Sequence, residues 1–73
     1  MSYIAKLRPL RQSKIIKILK KNGFKKVREG KHIVFKKFNG KILTTYVPRH
    51  REVTVFVLQY IIKQTEKSRE EFC

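Results

Sequence analysis

A chain of 73 residues with 19 Lys and Arg, five Glu, no Asp and a formal net charge of +14 has room for a single core and one domain, residues 1–73. So few carboxylates leave no acid pair for glycosidase or aspartic-protease chemistry, and the one cysteine, Cys73, rules out a disulfide within the chain or a cysteine-based metal cluster. The charge is also uneven, with sixteen basic residues and one Glu in residues 1–51 against three and four in residues 52–73, so the first part carries a field that draws polyanions, nucleic acid before all others.

The first twenty residues interleave Lys6, Arg8, Arg11, Lys14 and Lys17 where a secretory signal would need an unbroken apolar run, and no stretch of eighteen apolar residues occurs. A cytoplasmic protein without membrane contact is expected. Residues 1–11 read as an arm, because Pro9 disfavours helical backbone at Arg8. From about Gln12 the sequence SKIIKILKKNGF places Ile15, Ile18 and Leu19 on one helical face with Ile16 at its margin, and sets Lys14, Lys17, Lys20 and Lys21 mostly opposite. Asn22-Gly23 supplies a left-handed cap, the last lysines suit the negative end of the macrodipole, and Phe24 is placed to fold back on the helix.

Beyond Gly23 the period changes. Residues 24–28, 32–38 and 42–47 are rich in β-branched and aromatic side chains and are separated by Glu29-Gly30 and Asn39-Gly40, which predicts a meander of three strands. Read as a two-residue hairpin loop, Asn39-Gly40 opposes Phe35 to Thr44, Ile33 to Tyr46 and His32 to Val47. Neither face of that hairpin is cleanly apolar, so alternation alone does not choose the one that meets the helices.

Pro48 ends the third strand. Val53, Val55 and Val57 then alternate as a strand would, yet Leu58, Ile61, Ile62 and Thr65 keep helical spacing; the length of the run and its freedom from breakers favour a helix from about 54 to 65. Ser68-Arg69-Glu70-Glu71 is a capping box that opens a short helix or tail within 66–73. The expected fold is α+β in the order α-β-β-β-α.

His32 follows Gly30-Lys31, opens the second strand, and has Arg28, Lys31, Lys36 and Lys37 close in sequence. Cleavage of RNA by its own 2′-hydroxyl needs a base that works near neutral pH, a proton for the leaving 5′-oxygen and cations for the charge that grows on the phosphoryl oxygens. A histidine among lysines supplies these; a structural or merely phosphate-binding histidine is the plainer reading of the same position. His50, after Pro48-Arg49, is a candidate second acid or, with Arg49 and Arg51, a phosphate contact. A two-histidine metal site has no carboxylate or thiolate to complete it, so neither a metal nor another cofactor is expected. Tyr3, Tyr46 and Tyr60 have rings able to stack on bases, although packing is the commoner use of a tyrosine. No P-loop, GxGxxG, HExxH or nucleophile elbow occurs.

The stretches ILKKNGFKKVREGKHIVF, TTYVPRH and LQYIIKQTEKSREEF resemble the HicA toxins, small basic mRNA interferases of prokaryotic toxin-antitoxin pairs, and the similarity runs from about Leu10 to Phe72. It implies a fold like the double-stranded RNA-binding domain, a three-stranded antiparallel sheet with helices on one face. It also implies an endoribonuclease that cuts mRNA and is silenced by a HicB-like antitoxin covering the active face. The family's catalytic histidine closes a Gly-Ser-His motif at the start of the second strand, the place of His32 in Gly30-Lys31-His32, and His50 matches the histidine of a Val-Pro-x-His segment. Lys31 departs from the family's usual Ser, and Phe56-Val57 from a usual Gly-Thr pair. The alternatives are an RNA-binding module of the same fold that cuts nothing, and a DNA-binding protein whose basic helix enters the major groove.

Overall fold

A computed structural model describes residues 7–72; the first six residues of the expected arm, Tyr3 among them, and Cys73 lie outside it. Strand β1 (Leu10–Arg11) leads straight into helix α1 (Gln12–Lys21). Arg11, at the N-cap, makes no side-chain capping bond; instead the Gln12 backbone N–H donates to the Arg51 carbonyl at 2.9 Å, and Gln12 Nε2 donates to the Pro48 carbonyl at 2.8 Å. A distant turn is thereby tied to the first residue of the helix. At the other end Gly23, at φ +89°, lets its own N–H reach the Lys20 carbonyl while the Phe24 N–H reaches the Leu19 carbonyl. These two bonds make a Schellman cap, and they deliver Phe24 into the core beside Ile15 and Leu19.

Strands β2 (Lys25–Glu29), β3 (His32–Phe38) and β4 (Ile42–Pro48) form an antiparallel sheet in that order. The hairpin register corrects the two-residue reading of Asn39-Gly40. Phe38 pairs with Ile42, so the loop holds three residues, with Gly40 at φ +74° and the Asn39 N–H bonded to the Lys41 carbonyl at 2.8 Å. His32 therefore faces Pro48, Ile33 faces Val47 and Phe35 faces Thr45. The physical reason is burial: this register puts Ile33, Phe35, Leu43, Thr45 and Val47 on one face, all buried, whereas a slip of one residue would divide them between core and solvent.

After β4 the two-residue strand β5 (Glu52–Val53) pairs antiparallel with β1, a ribbon that no sequence pattern announces. Helix α2 (Val55–Thr65) starts at Thr54, whose hydroxyl accepts a 3.5 Å bond from the Val57 N–H, and stops at Glu66 in the left-handed region. A single 3-10 turn, Arg69–Phe72, follows Ser68. The bond that closes it is from the backbone, Glu71 N–H to the Ser68 carbonyl at 3.2 Å, and it buries Phe72 against α1 and α2.

The core is one cluster in which Ile15 and Leu19 of α1 and Leu58 and Ile61 of α2 meet the buried face of β3 and β4. One polar pair lies within this layer, where the Thr45 hydroxyl donates to Gln64 Oε1 at 2.8 Å. The architecture is α+β, helices packed on a three-stranded antiparallel sheet, as in the double-stranded RNA-binding domain. No helix among the described residues is long and apolar enough to cross a membrane.

Candidate nucleic-acid interface

Among the described residues no helix packs on the opposite face of the sheet, and a defect in β2 decides what stands on it. Lys26 pairs with Phe35, but Arg28 pairs with Val34, so Val27 is an extra residue in a β-bulge. Bulges turn side chains from one face to the other. In an unbroken ladder Arg28 would oppose Ile33 on the helix side and Glu29 would oppose His32. With the bulge, Arg28 joins Val34 and Tyr46 in one row across the three strands, and Glu29 moves to the row of Ile33. The arginine gains the open face and the carboxylate leaves it.

Arg28, Gly30, Lys31, His32, Val34 and Tyr46 line a shallow depression of about 350 Å³ on this face. A second, of about 480 Å³, shares Arg28, Val34 and Tyr46 with the first and adds Val27 and Lys36. His32 and Lys31 are exposed. Their position is set by the β2–β3 turn, closed by the Gly30 N–H on the His32 carbonyl at 3.1 Å. An Arg49 guanidinium N–H reaches the Gly30 carbonyl at 3.4 Å and Glu29 Oε2 at 3.5 Å, which links that turn to the end of β4. Glu29 also accepts a 2.8 Å hydrogen bond from Lys26 Nζ, and this bond and charge, with Arg49 adding less, hold its carboxyl below the usual carboxylate range.

Of the residues singled out from sequence, His32, Arg28, Lys31 and Lys36 are brought together here. Lys37 is not. It belongs to the buried register of β3, half-buried, with its ammonium 5.9 Å from the centre of the Phe24 ring. Arg49 is engaged with Glu29 and the turn, and His50 and Arg51 are exposed in the turn after β4 without lining either depression. Two participants escaped the sequence reading: the bulge at Val27, because bulges carry no obligatory glycine, and the exposure of Tyr46, because the two faces of β4 are equally mixed in type. Among the described residues no group of three or more His, Cys, Asp or Glu side chains is placed to hold a metal ion.

The family model described as HicA toxin of bacterial toxin-antitoxin matches residues 13–66, a span from α1 through the sheet and the whole of α2. No curated protein and no solved structure matches the chain. With most of its length matched, and with the fold and exposed strand histidine described above, the chain belongs to the HicA toxin family of bacterial toxin-antitoxin systems.

Proposed function

We propose that this toxin is an endoribonuclease that cuts mRNA, with His32 as the base that removes the 2′-hydroxyl proton. The observation that carries the reading is an exposed imidazole in a depression whose cations, Arg28 and Lys31, come from the bulge and turn beside it. In the reaction the 2′-oxygen attacks phosphorus and gives its proton to His32, the bond from phosphorus to the 5′-oxygen breaks, and the products are a 2′,3′-cyclic phosphate and a 5′-hydroxyl. Arg28 and Lys31 stabilise the charge on the phosphoryl oxygens, and the leaving oxygen takes its proton from water, which so open a site admits. His50 and Arg51, outside the depression, contact phosphates of neighbouring nucleotides.

Replacing His32 by Ala should lower RNA cleavage by roughly a hundredfold or more and relieve growth arrest while leaving the circular dichroism spectrum unchanged, since the side chain is exposed. Cleavage retained in His32→Ala would remove the residue from the mechanism. If the wild-type protein shifts RNA in a gel with steep salt dependence and leaves it full length, the chain is a binding module instead.

Membership of a toxin-antitoxin family implies an antitoxin. We propose a HicB-like protein that offers carboxylates to the cationic face and covers His32. Such a pair associates fast at low salt and more slowly as the charges are screened.

A further inference from the structure

We infer that Tyr46 is a nucleobase platform, on whose ring one unpaired base of the RNA stacks beside His32. The inference rests on the ribonuclease reading for the identity of the polymer, and on separate observations for the subsite. Tyr46 stands within β4, yet 50% of its surface is exposed, because among the described residues no helix packs on its face of the sheet. Its ring borders both depressions, the one that holds His32 and the one that holds Lys36. Arg28 and Val34 also line both depressions, and Tyr46 is the aromatic member of that shared ground.

The chemistry around the ring fits a nucleotide. Arg28 and Val34 share its row, Lys25 and Lys36 are paired in the next, and His32 lies on the other side. The only acid in the three strands, Glu29, faces away in register with Ile33 and is bonded to Lys26. Cations therefore flank an exposed aromatic surface on a face where the three strands place no carboxylate, the combination that holds single strands by stacking and phosphate contact together. A base within a duplex is already stacked on its neighbours and does not present its flat side to such a ring, so the platform selects unpaired RNA.

The test uses the full chain and a single-stranded 2′-O-methyl oligoribonucleotide carrying one 2-aminopurine. Without a free 2′-hydroxyl this probe is bound and not cut, whichever residue is the base. Wild type and Tyr46→Phe should bind it alike and quench the 2-aminopurine; Tyr46→Leu should lose the quench and bind about tenfold or more weakly, the loss expected of one base-aromatic stack. Failure of the wild type to quench overturns the inference without reference to any variant. So does Tyr46→Leu that binds like wild type, or a duplex probe that competes as well as the single strand. Unmodified RNA is assayed in parallel with wild type and His32→Ala. Tyr46-dependent quenching with uncut RNA keeps the platform and removes the ribonuclease reading, whereas His32-dependent cleavage with Tyr46-independent binding removes the platform alone.

Discussion

The two faces of the β2-β3-β4 sheet are built from alternate residues of the same strands and have opposite characters. On one, Ile33, Phe35, Leu43, Thr45 and Val47 are buried under α1 and α2. On the other, His32, Lys36 and Tyr46 are exposed, Val34 is half-buried, and the bulge at Val27 adds Arg28 to them. Among the described residues both helices and the terminal turn go to closing the single core. That face is left to the site. The lesson is that loop length and one extra residue in β2 decide which side chains emerge beside His32 on the open face, and so set the make-up of the proposed site.

The sharpest break of the comparison sets two positions of β3 against each other. Phe35→Ala empties a fully buried site and should cost about 3–5 kcal/mol, most of the stability a domain of this length has, so the melting transition should fall far or vanish. His32→Ala should leave that transition where it is and lower cleavage by roughly a hundredfold to ten-thousandfold, the range for loss of a general base. Thermal melts and single-turnover cleavage on both variants check the pair. If His32→Ala melts like Phe35→Ala, the even-numbered side of β3 is part of the fold rather than the site.

Lys36 and Lys37 sharpen the contrast at lower amplitude, since they are neighbours in sequence and lie on opposite faces. Each removes one positive charge when replaced by Ala. Only Lys36→Ala should reduce the slope of log binding constant against log salt, by about 0.7 for one phosphate contact on a single strand. Lys37→Ala should leave the slope unchanged and remove the ammonium over Phe24, a loss of about 0.5–1 kcal/mol in stability. Equal slopes for the two variants would show that net charge, rather than the open face, attracts the RNA.

The parts of the molecule written in local patterns are legible in the sequence. Asn22-Gly23 after an amphipathic run led to α1 and its cap, the Gly-bearing turns led to the three strands, and the spacing of Leu58, Ile61 and Thr65 led to α2. The hairpin register was not legible, because Asn-Gly serves loops of two or three residues and only the burial of Ile33 and Phe35 against Val47 and Thr45 chooses between them. His32, Lys31, Arg28 and Lys36 were identified by type and nearness in sequence, and the sheet does bring them to one face. The separation of Lys37 from Lys36 follows from alternation once the buried face is known. Arg49 is different in kind: its link to Glu29 and Gly30 joins positions twenty and nineteen residues apart, and no local pattern carries such a contact.

The smallest expected effect concerns the acid that the bulge moves off the site. Lys26 first, by hydrogen bond and charge, and Arg49 after it hold the Glu29 carboxyl below its usual range. A carboxyl whose folded pKa is depressed adds stability that is complete above its unfolded value, about 4.3 for Glu, and is lost as pH falls through the lowered folded value. Glu29→Gln keeps the shape and removes the charge. Its melting temperature should therefore lie slightly below that of wild type at pH 7, and the two should converge in acid as the wild-type carboxyl is protonated. The pair is solvent-exposed, so raising the salt concentration at pH 7 should shrink the difference as well. The same change releases Arg49 from its ion pair with Glu29 and raises the local positive charge, so RNA binding at low salt should strengthen by a small factor while stability falls. A difference in melting temperature that persists unchanged into acid would mean that the ionised carboxylate is not what Glu29 contributes to the turn, and that the charge sorting across the bulge has no energetic consequence for the fold.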